Sequence, residues 1–131
     1  MEIKKEIPKV LIVAVVLFLI DLVYLSTIGA KPFVKMVSKI QNKPVKVNLF
    51  SAGFTYILLI AALYFFIIKN NLGYLDAFVL GFIIYGVFDF TNMALFSNYD
   101  LMIGIQDTIW GGILFVISLF IYKKIVVALK M

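Results

Sequence analysis

The chain has 131 residues, of which 64% are hydrophobic and only 15% charged, with a mean hydropathy of +1.11. A soluble domain is nearer half apolar and a quarter charged, so one solvated core cannot absorb this surface. The composition excludes a disordered chain, a secreted disulfide scaffold and an ordinary soluble enzyme. It points to an all-α integral membrane protein. The net charge of +5 comes from twelve basic residues, all Lys. Without Arg the planar fork for phosphate is missing, so an anionic lipid surface is the expected partner and nucleic acid is not. Cys and His are absent. That removes thiolate chemistry, the commonest general base and the usual ligands for zinc or haem.

Four apolar runs are read as transmembrane helices, over residues 8–28, 47–68, 77–96 and 102–122. Each is near the ~20 residues that cross ~30 Å of hydrocarbon. Helices are required because backbone groups in lipid must be satisfied within the segment, and the runs lack the alternation of barrel strands. The expected architecture is one domain over 1–131, a four-helix antiparallel bundle.

Chain order starts with Pro8, which suits a helix start because its missing N–H would be unpartnered there. Within the first run, Asp21 and Tyr24 follow the uninterrupted apolar stretch 10–20 with no small-residue cleavage site after them. The first span is therefore expected to be kept rather than removed as a signal peptide. The connection 29–46 is long and basic. Within it Phe33, Met36, Val37 and Ile40 fall on one side of a helical wheel, and Lys31, Lys35 and Lys39 on the other. The pattern predicts an interfacial helix with Lys31, Phe33, Lys35 and Lys39 at the lipid headgroups, ended by Pro44. The later connections, 69–76 and 97–101, are tight turns. Seven Lys lie on the face that holds both termini and five on the long-loop face. The bias favours termini in the cytoplasm, and being small it leaves an inverted or dual topology as the alternative.

Three of the seven acidic residues sit inside apolar runs: Asp21, Asp89 and Asp107. Each costs roughly 2.5–3.5 kcal/mol near a span's centre. In an up-down order their depths from the loop face are about 10, 10 and 8 Å at 1.5 Å per residue. All three thus share one leaflet. Other polar residues are read onto the same zone: Tyr24 on the first span, Asn48, Ser51 and Thr55 on the second, Tyr85 and Asn92 on the third, Trp110 on the fourth. Tyr99 and Trp110 also suit interface anchors. Gly104, Gly111 and Ser118 permit close helix approach, so the last two spans are expected to pack as a hairpin that brings Asp89 to Asp107.

The stretches Ile20-Asp21-Leu22-Val23-Tyr24-Leu25, Tyr85-Gly86-Val87-Phe88-Asp89-Phe90-Thr91-Asn92-Met93-Ala94 and Asp107-Thr108-Ile109-Trp110-Gly111 carry a resemblance. The chain resembles the small bacterial and viral membrane proteins of domain-of-unknown-function family 2177, over nearly its whole length. Members often carry Trp where this chain has Tyr24, and Tyr where it has Phe88. The resemblance implies the four-span architecture and the polar positions; it supplies no reaction.

The reading that follows is a polar, acidic pocket that binds or transports a proton, a cation or a small solute. Asp21, Asp89 and Asp107 are its candidate cation ligands, and a homodimer is expected if it transports. The alternative is a structural or assembly protein whose polar network only holds the bundle. A lipid-modifying enzyme ranks third, since no P-loop, H-E-x-x-H or G-x-S-x-G motif is present, and no catalytic residue or cofactor is assigned.

Overall fold

The computed structural model describes residues 2–131. Its helices are α1 (Ile3–Tyr24), α2 (Ala30–Gln41), α3 (Leu49–Ala62), α4 (Tyr74–Leu95) and α5 (Leu101–Ala128). Two wide π-helical turns, Leu25–Gly29 and Leu63–Ile68, extend α1 into α2 and lengthen α3. Four continuous helical stretches are therefore long and apolar enough to cross a membrane: Ile3–Gln41, Leu49–Ile68, Tyr74–Leu95 and Leu101–Ala128. Large apolar side chains line the outer surface, among them Leu49, Phe50, Leu75 and Val87. Such a surface is solvated by lipid, not water.

Helix α5 is the hub. It packs along α4 over most of its length and along α1, while α3 leans chiefly on α1. The core joins Val13 and Leu17 of α1, Leu59 of α3, Leu63, Tyr64 and Ile67 of the second wide turn, and Ala77 of α4. Leu114, Phe115, Leu119 and Tyr122 of α5 complete it. The α4–α5 contact is close because both helices drop their side chains at the crossing. A Cβ on Gly81 would run into the Gly111 carbonyl, and one on Gly111 into the Tyr85 ring.

The boundaries differ from the sequence reading in instructive ways. The first helix starts at Ile3, so Pro8 lies inside it and not at its start. The proline withholds one i→i−4 hydrogen bond, from the Lys4 carbonyl, where exposed Lys4 and Lys5 already mark the water boundary. At its other end the first helix does not stop near Ile28. Gly29 stays right-handed, and the backbone runs through the wide turn into α2. The amphipathic helix is real, but it prolongs a span instead of standing alone in a loop. It ends at Asn42, which adopts the left-handed conformation at φ 58°. Gln41 then clips the turn by donating to the carbonyls of Lys43 and Pro44, each at 3.0 Å. Helix α5 runs six residues past the expected Tyr122, because Lys123 and Lys124 lie over the Tyr74 and Phe120 rings at 4.8 and 5.4 Å. Long Lys stems let the helix continue to the headgroups.

Candidate functional site

Asp21 continues the inward stripe of Val13 and Leu17 on α1, and only 5% of it is exposed. Both of its oxygens are taken. The Tyr56 hydroxyl donates to one oxygen and the Trp110 indole N–H to the other, the latter at 2.8 Å. Tyr56 is held by the edge of the Phe18 ring, 5.1 Å between centroids. Trp110 stacks flat on Tyr24 at 4.0 Å and 6°. Gln106 donates to the Tyr24 hydroxyl at 3.0 Å. This cluster ties α1, α3 and α5 together through one carboxylate.

Asp89 is fully buried on α4. Tyr99, in the turn between α4 and α5, donates to its Oδ1 at 2.7 Å. Asn92 lies beside the same tyrosine. Burial and the bond to Asp89 push the Tyr99 phenol up from its ordinary value, and the neighbouring Asn92 opposes them. Thr108 lies 3.3 Å from Asp89 Oδ2 but only 2.8 Å from the Gly104 carbonyl. One hydroxyl hydrogen serves the shorter bond, as Thr in a helix commonly does toward i−4. Asp107 of α5 sits within hydrogen-bonding reach of Asp89. The salt bridge from Lys5 to Glu2, at 3.4 Å, lies at the exposed start of α1 and involves neither acid.

Asp107 also faces a small cavity, shared with Tyr24, Gly29, Pro32, Phe33, Ile103 and Gln106. Its roughly 20 Å³ for the centre of a water molecule is room for about one water. Polar groups on its wall can satisfy that water, and Pro32 and Phe33 of α2 line it on the loop side.

The expected convergence therefore holds in part. Asp89 and Asp107 meet, with Asn92 linked to them through Tyr99; Asp21, Tyr24 and Trp110 form a second cluster beside them. Tyr85 is half-buried with its ring over Gly111. Asn48, Ser51 and Thr55 do not join either cluster. Asn48 caps α3 by accepting the Ser51 N–H at 3.1 Å, and Thr55 donates to the Ser51 carbonyl at 2.9 Å; all three are exposed. Their shared face is turned out of the bundle because Tyr56 and Leu59 are the residues turned in. Nor do the three acids make one cation site. Among the described residues no group of three or more acids is placed to hold a metal ion. Phe33, expected among lipid headgroups, lies instead 6.3 Å from the Phe88 ring and 6.4 Å from the Tyr99 ring. Lys31, Lys35 and Lys39 are exposed as expected.

Four site residues escape the sequence reading as site residues: Tyr56 and Gln106 altogether, Thr108, which appears there only within the stretch at Asp107, and Tyr99, which is read only as an anchor. Tyr56 was findable, since it lies three and seven residues before Leu59 and Leu63 on the apolar inward stripe. Thr108 lies four residues after Gly104 on the α4-facing side of α5. Gln106 gave no periodic signal.

No curated protein and no solved structure matches the chain. The family model described as "Predicted membrane protein (DUF2177)" matches residues 7–121, which takes in both acidic clusters. With four helices long and apolar enough to cross a membrane, Asp21 and Asp89 buried at positions that carried the resemblance, and that match over most of its length, the chain belongs to the DUF2177 family of membrane proteins.

Proposed function

We propose that this multi-pass membrane protein binds and releases a proton at the Asp89–Asp107 pair, exchanging it with the long-loop side of the membrane. One observation carries the reading: Asp107 touches both the sealed Asp89 and the water-sized cavity. Asp89 alone is out of reach of solvent, and Asp107 gives it a route. A buried carboxyl pair without a basic neighbour holds a proton more readily than two negative charges. The shared proton is also the smallest cation the pair can take, which suits a cavity of this size better than a metal with six oxygen ligands would.

The half of the bundle toward the termini is mostly apolar, with Val13, Leu17, Leu63, Leu114 and Phe115 at or near zero exposure, and buried polar atoms there, the Ser118 hydroxyl and one Glu6 oxygen, stand apart from the pair. The pair thus faces one side only in this conformation. We read a transport cycle, if the protein has one, as needing a second copy of the chain. From the excess of Lys on their face, we read the termini as cytoplasmic.

Infrared difference spectra of the protein in liposomes test the reading. A protonated-carboxyl band should titrate between acid and alkaline pH, and should shift or vanish in both Asp89→Asn and Asp107→Asn. No titrating band, or one untouched by either substitution, rejects it. A pH jump across the liposome membrane should also give proton uptake that Asp107→Asn reduces.

The Asp21 cluster favours a second, structural reading for its own part of the molecule. With both oxygens engaged by donors on other helices, Asp21 acts as a tie between spans. Asp21→Asn should then lower stability and leave the carboxyl band of the other pair in place.

A further inference from the structure

Helix α2 has one face held by the protein and one face without a partner. On the held face, Phe33 meets the rings of Phe88 and Tyr99, and the Met36 sulfur accepts the Asp100 backbone N–H at 3.1 Å. Met36 is 6% exposed. On the other face, Lys31, Lys35 and Lys39 recur every four residues, all exposed, and Lys43 and Lys46 follow in the turn. No acidic residue lies between Ala30 and Leu49. None of these five Lys is in an ion pair among the described residues. The helix cannot roll its lysines underneath without giving up the Phe33 and Met36 contacts. Because α2 prolongs a membrane-crossing helix, this charged face is carried to the bilayer surface.

We propose that the Lys31–Lys35–Lys39 face docks on anionic phospholipid headgroups of the adjacent leaflet, and that docking seats α2 as a cover over Tyr99 and the cavity at Asp107. Charge complementarity chooses the occupant. Lys offers compact, hydrated charges on flexible stems, which suit many headgroup phosphates at once and not one bidentate ligand. Each Lys near an anionic surface strengthens attachment by roughly fivefold. The docking does not depend on the proton reading. It bears on that reading because Pro32 and Phe33, between and beside the docking lysines, line the same cavity as Asp107.

The experiment is amide hydrogen exchange of the full chain in nanodiscs of phosphatidylcholine, with and without phosphatidylglycerol. Exchange over residues 30–41 should slow at least about fivefold when the anionic lipid is present. The slowing should fade in high salt. It should be lost in the combined Lys31→Gln, Lys35→Gln, Lys39→Gln variant, while α4 exchanges as before. Equal exchange in the two lipids overturns the proposal, as does slowing that survives high salt or the triple substitution. If the triple variant misfolds, α4 and α5 will exchange faster, and the salt series on the natural chain decides alone. Slowing in phosphatidylcholine alone that grows with protein density would assign the face to a second copy, which also overturns it. Loss of the infrared carboxyl band with α2 protection intact would strike the proton reading and leave the docking standing.

Discussion

Trp110 is the single tryptophan, and it does two jobs through its two chemical faces. Its ring lies on Tyr24, and its N–H satisfies Asp21. Trp110→Phe keeps an aromatic ring for the stack and strands one carboxylate oxygen. The variant should be about 1–2 kcal/mol less stable to denaturation by sodium dodecyl sulfate, and Trp110→Ala worse. A Phe variant as stable as the natural protein would remove Asp21 from the structural account. Tyr99 gives a prediction in pH. Its phenol is raised in the folded protein, by burial first and then by Asp89, so the folded value lies above the unfolded value of about 10. The resulting stability is complete below about pH 10 and is lost as pH rises through the folded value. Melting curves of the natural chain and Tyr99→Phe should therefore keep a constant gap up to about pH 10, with the natural chain the more stable, and converge above it. The acids of both clusters were legible in the sequence because a charge in an apolar run stands out. Their partners were not, because Tyr, Thr and Gln in a span cost too little to be conspicuous. Asn48, Ser51 and Thr55 misled for the same reason: a polar stripe on a helix says nothing about which way it faces.

At the level of the helix, small residues set what the acids can reach. Gly81 and Gly111 let α4 and α5 approach until backbone meets backbone, and Asp89 and Asp107 stand further along the same seam. Gly111→Ala should force the helices apart at Tyr85, with a loss of about 1–3 kcal/mol and a disturbed carboxyl band. Gly53 on α3 is the control, since a Cβ there meets nothing within 4 Å. Gly53→Ala should be neutral, or more stable by up to about 1 kcal/mol from helix propensity. Equal losses at the two sites would mean the seam does not govern the pair. The helices themselves were readable from hydropathy, and the α4–α5 hairpin from its short turn. Asp100 at the start of α5 accepts the N–H groups of Met102 and Ile103, an ordinary cap signal. The continuity of α1 into α2 was not readable, because Gly29 and Pro32 look like a stop. The Tyr24 ring fills the space a Cβ of Gly29 would need, so glycine here allows the helix to go on.

For the molecule as a whole, the surface argues as strongly as the site. A bundle that leaves Leu49, Phe50 and Leu75 largely bare has no stable form in water. It should stay with membranes through high salt and alkaline carbonate, and release by either treatment would contradict the fold. Since the chain has no cysteine, single replacements can map its orientation against an empty background. Lys35→Cys should react with an impermeant thiol reagent only from the side opposite the termini. The two wide turns carry a last consequence, for how the length of this chain can change. A π turn accommodates one residue more than the α-helix it interrupts, while the stretches before and after keep their phase. Removing Ser26 or Thr27 should let Leu25–Gly29 relax to an ordinary turn, with Phe33 and Met36 still facing the α4–α5 end. The same excision at Val15, inside α1, has no slack to draw on. It would rotate Val13 against Asp21 by about 100° and break the inward stripe. Relatives of unequal length should accordingly gain or lose single residues at these two wide turns, and not within the regular helices.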